Sequence, residues 1–163
     1  MNYMESIKYL EEEVGFASVP GLSRIQALLK RLDNPEKKLR CIHVAGTNGK
    51  GSSVAMLSSV LRESGCKTAS YTSPHLHRYN ERFVINGQEI SDEQFAEEIS
   101  LMRAHCEAMA AAGEDVPTLF EIVTAAAFHY FAEQQVDIAV MEVGLGGTYA
   151  VSYTHLTLPT NSL

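Results

Sequence analysis

The stretch His43-Val44-Ala45-Gly46-Thr47-Asn48-Gly49-Lys50-Gly51-Ser52-Ser53 decides the fold. Its apolar lead-in, Cys41-Ile42-His43-Val44-Ala45, reads as a short buried strand. Three glycines within six residues, Gly46, Gly49 and Gly51, then let the backbone turn where side chains would clash. Ser52 to Glu63 reads as a helix. Strand, glycine loop with a lysine, then helix is an arrangement that holds nucleotide phosphates. Loop N–H groups and the helix N-terminus face the anion, and the lysine supplies the compensating charge. The fit to the general phosphate-loop pattern G-x-x-x-x-G-K-[ST] is imperfect. Val44 stands where the first glycine belongs, Gly51 follows Lys50, and the hydroxyl comes one place later, at Ser52. The alternative is a glycine-rich turn with an exposed lysine.

Working outward, the spacing predicts strands alternating with helices. Tyr3, Ile7, Leu10 and Val14 share one face of a helix over residues 2–14. Ile25, Leu28, Leu29 and Leu32 stripe a second helix that Ser23 is placed to cap and Asp33-Asn34-Pro35 to end. These two helices either pack on the sheet edge or form a lid or substrate wall. Lys67–Tyr71 reads as a second strand, which with the first strand and the loop helix makes a right-handed βαβ unit. Phe83 to Ile90 reads as a hairpin turning at Asn86-Gly87, a pair suited to the φ > 0 positions of a type I′ turn. Ser91 with Gln94, and Thr118 with Glu121, are capping boxes opening helices to about Ala111 and Gln134. Val136 to Val143 is a buried strand closed by Gly144. The fold class is α/β with a mostly parallel sheet and flanking helices.

At 163 residues the chain has the length of one domain, and its 45% apolar content supports a sizeable core. No apolar run approaches the ~18 residues of a membrane span, and the acidic, amphipathic start has no signal-peptide layout. A cytoplasmic protein without membrane contact is expected. Thirteen basic against twenty acidic residues give a net charge of −7, which argues against general nucleic-acid affinity. Cys41, Cys66 and Cys106 have no metal-ligand spacing and read as reduced thiols.

Candidate chemistry lies at the C-terminal ends of the strands, where open α/β sheets bind ligands. Glu142 ends an apolar run and needs a partner, a cation or a loop N–H. In phosphate-loop proteins a carboxylate there holds Mg²⁺, which accepts one or two protein oxygens beside phosphate oxygens and water. Ser52, Ser73 and Glu142 are plausible oxygen donors. His75 and His77 lack a third ligand and read as loop histidines near a substrate. Arg78 and Arg82 suit a carboxylate by their fork geometry, with a solvated loop charge equally open for Arg78. For Thr118 and Glu121 the capping box by itself is a sufficient explanation.

Five segments together resemble the folylpolyglutamate synthase/dihydrofolate synthase family, relatives of the Mur ligases. They are GLSRI at 21–25, HVAGTNGKGS at 43–52, YTSPHL at 71–76 with NER at 80–82, TLFE at 118–121, and MEVGLGG at 141–147. The resemblance implies a Mur ligase-type ATP-binding domain, of which residues 1–147 are the N-terminal part. It implies that Thr47, Asn48, Gly49, Lys50, Gly51 and Ser52 bind ATP and that Ser73 and Glu142 hold Mg²⁺. Thr118, Leu119, Phe120 and Glu121 would line the pteroate site, with Arg82 and part of the segment before Gly21. Lys50 would be catalytic, offsetting charge on the transferring phosphoryl group. The implied reaction activates a dihydropteroate or folate carboxylate as an acyl phosphate, which the amine of L-glutamate displaces. A sibling peptidoglycan-precursor ligase, or a nucleotide-binding module without ligase chemistry, is the alternative, and a monomer is expected.

After Gly147 the resemblance stops. Residues 148–163 read as foreign sequence, and His155 within them does not match the family's later metal histidine. That histidine, a modified lysine and the C-terminal glutamate-ligase domain have no counterpart here, so the expectation for this chain alone is an inactive fragment.

Overall fold

The protein is described by a computed structural model, which covers residues 1–16 and 21–144. Residues 17–20, Leu145 to Gly147 and the atypical tail lie outside the described residues.

Asn2 caps α1 (Tyr3–Lys8) in a reciprocal box with Glu5, and the helix continues as a π-helical turn over Tyr9–Val14. The single predicted helix is therefore one body with a change of winding. Leu22, not Ser23, occupies the N-cap of α2 (Ser23–Arg31), without a side-chain cap bond. Leu22 packs against the core, so an apolar anchor sets that entry and leaves Ser23 inside the first turn.

A 3₁₀ turn at Pro35–Lys38 leads to β1 (Cys41–Val44). Next comes α3 (Lys50–Glu63), which begins two residues earlier than its pattern predicts. Its cap, Gly49, has φ 75°, a left-handed conformation open to glycine, and this brings Lys50 directly into the first turn. β2 (Thr68–Tyr71), a 3₁₀ turn at Tyr79–Arg82, and the hairpin β3 (Phe83–Ile85) and β4 (Gln88–Glu89) follow. Asn86 and Gly87 have φ 50° and 81°, as a type I′ turn requires. Ser91 and Thr118 make both predicted capping boxes, opening α4 (Asp92–Ala111) and α5 (Leu119–Glu133). Last is β5 (Ile138–Glu142).

The sheet order is β1-β5-β2-β3-β4. β5 lies between β1 and β2 and is parallel to both, pairing Val44 with Glu142 and Tyr71 with Met141. β3 and β4 extend the sheet antiparallel beyond β2, so the sheet is mixed with a parallel part at the phosphate-loop end. The βαβ unit holds, but with another strand inserted between its two.

Side-chain alternation divides the sheet's two faces. Ala69, Tyr71, Ala139 and Met141 join the main core with α2, α4 and α5. Their neighbours Val140 and Glu142 therefore point to the other face, where α3 packs. Helix α5 is buried almost throughout, with Ala125, Ala126 and Ala127 allowing close approach in the middle of the layer. The N-terminal helices pack on this helical layer, α1 on α4 and α2 on α5, not on the sheet edge.

Candidate active site at the strand ends

The loop from Ala45 to Gly49 leaves β1 and is exposed to solvent. It ends in the first turn of α3, whose leading N–H groups have no partner within the helix. Lys50 Nζ reaches back across the loop to donate to the Gly46 carbonyl at 3.0 Å. Ser53 Oγ closes the turn on the Gly49 carbonyl at 3.0 Å. Gly51 and Ser52 are exposed on the same turn, beside Thr47 and Asn48 in the loop.

Insertion of β5 next to β1 brings Glu142 to this loop. Glu142 Oε1 is 3.8 Å from Lys50 Nζ, and the backbone N–H of Ser73 donates to Glu142 Oε2 at 3.2 Å. Three strand ends thus converge on one carboxylate: β1 through Lys50, β2 through Ser73, and β5 itself. Within the chain Glu142 therefore has the Lys50 ammonium and a loop N–H as its partners. The Ser73–Pro74 peptide bond is cis.

The donor set bears on Mg²⁺. Among the described residues no group of three or more His, Cys, Asp or Glu side chains is arranged to hold a metal ion. Glu142 is the carboxylate here, with Ser73 on the segment after β2 and Ser52 in the first turn of α3. One carboxylate with hydroxyl oxygens fits an ion that keeps water and takes phosphate oxygens, and does not fit a metal held wholly by protein.

The second predicted group lies alongside. Thr118 caps α5, and Glu121 Oε2 accepts from the Thr118 N–H at 2.7 Å, its hydroxyl at 2.9 Å and Arg24 Nε at 3.0 Å. Glu121 is thus a buried clamp between α2 and α5, with its Oε1 lacking a hydrogen bond. Leu119 is buried in the core, while Phe120 lies over Gly144, where an added Cβ would meet the ring at 2.7 Å. Gly144 follows Glu142 closely, so Phe120 at the α5 N-terminus lies against the segment that leaves β5.

A relay joins β2 to the α5 N-terminus. Tyr71 Oη stands 3.2 Å from Thr124 Oγ1, and Thr124 donates to the Phe120 carbonyl at 2.7 Å. Burial raises the Tyr71 phenol, so it stays neutral. Arg82 is buried and donates through Nε to His75 Nδ1 at 2.9 Å.

The loop between Ser73 and Arg82 is irregular but firmly tied. Glu81 accepts the N–H groups of Leu76, His77 and Arg78 at 2.8, 2.8 and 2.9 Å, which hold its carboxyl down at about 2. Arg78 pairs with Asp92 and lies 3.8 Å from Glu89, so it anchors the loop to α4 and the hairpin. His77 is exposed. The Arg24–Glu121 pair and the Glu81 clamp were not read from the sequence. Glu81 three residues after Arg78 is a capping spacing that marks the clamp, whereas Arg24–Glu121 has no local signal.

No family model matches the chain. A Bacillus subtilis dihydrofolate synthase/folylpolyglutamate synthase is 45% identical over 148 residues, 90% of this chain and 34% of that protein. A solved folylpolyglutamate synthase complex with AMPPCP and folate superimposes with TM-score 0.88 at 39% identity, covering 94% of this chain and 38% of the other. E. coli FolC in complex with DHPP and ADP gives 0.81 at 33% identity, covering 93% and 35%. The chain spans about a third of the length of these relatives and, over the residues that match, is similar to the folylpolyglutamate synthase/dihydrofolate synthase family.

Proposed function

We propose that the chain supplies the nucleotide- and pteroate-facing part of an ATP-dependent ligase that joins L-glutamate to dihydropteroate or folate. The convergence of Lys50, Ser73 and Glu142 carries this reading. Lys50, the loop from Thr47 to Gly49, and the first-turn amides of Gly51 and Ser52 present positive potential to a triphosphate. An arriving phosphate competes with Glu142 and the Gly46 carbonyl for the Lys50 ammonium. Ser73 and Glu142 would hold Mg²⁺, which supplies charge neutralisation on the phosphates when bound.

Transfer of the γ-phosphoryl group to a substrate carboxylate gives an acyl phosphate, and the glutamate amine then expels phosphate. The part of this chain is to orient and stabilise charge; no protein nucleophile is needed. Phe120, Thr118, Leu119 and Glu121 form the wall nearest the pteroate, and Arg82 lies below it. Folate in one solved relative supports an aromatic, carboxylate-bearing substrate. Residues 1–147 belong to the ATP-binding domain in this reading, with glutamate handled by a further ligase domain. A monomer in the cytoplasm, without nucleic-acid or membrane partners, completes it; no helix among the described residues is long and apolar enough to cross a membrane.

Pteroate- and glutamate-dependent phosphate release by the enzyme that carries this segment tests the proposal. Turnover with a muramyl peptide and none with pteroate would sink it. A second reading is a nucleotide-binding module, for which the exposed loop from Ala45 to Gly49 with Lys50 at its end would suffice. Calorimetric binding of Mg-ATP by this chain without glutamate-dependent phosphate release would support that module.

A further inference from the structure

Glu81 reaches back from the 3₁₀ turn at Tyr79–Arg82 to the loop that precedes it. Its Oε2 accepts the Leu76 N–H at 2.8 Å, and its Oε1 accepts those of His77 at 2.8 Å and Arg78 at 2.9 Å. Three consecutive amides thus converge on one carboxylate, an anion nest that the chain fills with its own side chain. Bonds to an ionised acceptor are stronger than neutral ones. A capping box at this turn accounts for the Arg78 bond alone. The bonds to Leu76 and His77 lie outside the turn and hold the loop.

Little else fixes the loop's main chain. Pro74, Leu76, His77 and Arg78 are exposed, Leu76 by 87%, so packing contributes little to their order. The Arg78 guanidinium pairs with Asp92, and the His75 ring accepts from Arg82 Nε at 2.9 Å. Those ties act at the ends of rotatable side chains, whereas Glu81 grips backbone. The turn that carries Glu81 is itself well anchored. Tyr79 is buried against Phe95, and the buried Asn80 donates through Nδ2 to the Ile90 carbonyl at 2.8 Å and to Asp92 Oδ1 at 3.1 Å. At the loop's other end the Ser73 N–H donates to Glu142 Oε2 at 3.2 Å. Only Pro74 and His75 separate Ser73 from the first amide that Glu81 holds.

We infer that Glu81 is a positioning residue for the strand-end site: by gripping the Leu76, His77 and Arg78 amides it keeps Ser73 on Glu142, in the arrangement through which the two would hold Mg²⁺. Glu81 does not touch that site itself. Without its grip the main chain is free from Pro74 to Arg78, Ser73 leaves Glu142, and the carboxylate keeps Lys50 alone. The metal part of the inference rests on the ligase reading above; the grip on Ser73 does not.

The test is amide hydrogen exchange of this chain, with calorimetric binding of ATP measured with and without Mg²⁺. In the wild type the Ser73, Leu76, His77 and Arg78 amides should be protected. Glu81→Ala should speed exchange at all four by roughly tenfold or more, while core amides such as those of Ile99 and Ile122 keep their rates. Metal-free ATP should bind both proteins equally, and the gain in affinity from Mg²⁺ should shrink at least about fivefold in the variant. Glu81→Gln, which retains one acceptor oxygen, should fall between the two. Unprotected loop amides in the wild type, or unchanged Ser73 exchange in Glu81→Ala, overturns the inference. Core amides accelerated by the same factor also overturn it, since the effect would then be loss of stability and no more. Faster Ser73 exchange with the Mg²⁺ gain intact overturns the positioning role. A wild-type chain that gains nothing from Mg²⁺, with Ser73 exchange still governed by Glu81, removes the metal reading and leaves the grip on Ser73 supported.

Discussion

Lys50 Nζ and Glu142 Oε1 face each other at 3.8 Å across the C-terminal ends of two adjacent parallel strands. The pair is only partly open to water, with Lys50 side-chain exposure 23% and Glu142 9%. It keeps the loop lysine and the strand-end carboxylate matched in charge until phosphate enters. Lys50→Ala should weaken Mg-ATP binding to this chain roughly tenfold or more, about 1.4 kcal/mol. Glu142→Gln should leave binding of metal-free ATP equal or tighter while abolishing the gain from Mg²⁺. Calorimetry with and without Mg²⁺ separates the two; equal losses in both variants would count against distinct roles.

Arg24 and Glu121 form a buried pair between α2 and α5, with side-chain exposures of 10% and 3%. Breaking such a pair from one side leaves a buried charge and typically costs about 3–5 kcal/mol. Arg24→Met should therefore lower the urea midpoint severely. Thr118→Ala, which removes the cap hydroxyl, should cost about 1 kcal/mol. A small effect of Arg24→Met would mean that the pair does not carry this energy in the folded protein.

Gly144 leaves room for the Phe120 ring, since an added Cβ would come within 2.7 Å of it. Gly144→Ala should displace the ring and destabilise by about 1–3 kcal/mol, as overpacking does. Combined with Phe120→Leu the loss should shrink, and a double-mutant cycle on thermal midpoints measures that coupling. Strict additivity would show that the two do not touch.

His129 Nδ1 lies 2.8 Å from Glu98 Oε2, joining α5 to α4. The hydrogen bond to Glu98 raises the His129 pKa above its ordinary value, against the opposing effect of burial. Its stabilising contribution is complete below the unfolded pKa of about 6.5 and is lost as pH rises through the higher folded value. The stability difference between wild type and His129→Gln should accordingly be larger at about pH 6 than at about pH 8. Urea denaturation at both values checks it, and a difference that grows with pH would reverse the assignment.

Burial pushes the Cys41 and Cys106 thiols up to about 11. With thiolate scarce at neutral pH, both should react slowly with alkylating reagents while the chain is folded. Mass spectrometry after a short pulse should find modification concentrated at Cys66 and all three sites modified in urea.

By itself the sequence determined whatever depends on neighbours a few residues away. The boxes Ser91–Gln94 and Thr118–Glu121, the turn at Asn86-Gly87 and the phosphate loop were legible because their hydrogen bonds and φ > 0 positions lie within a few residues. Even there, Gly49 in its left-handed conformation started α3 earlier than the pattern, and Leu22 displaced Ser23 as the cap. Only the tertiary structure decided which distant groups meet. Arg24 and Glu121 are 97 positions apart, and nothing local pairs them. Insertion of β5 between β1 and β2 turned Glu142 from an apolar strand's odd carboxylate into the partner of Lys50 and Ser73. The physical reason is that strand order is selected by burial on both sheet faces, a sum over the whole chain. The phosphate loop was visible in its own residues; the carboxylate that answers it was placed by the sheet.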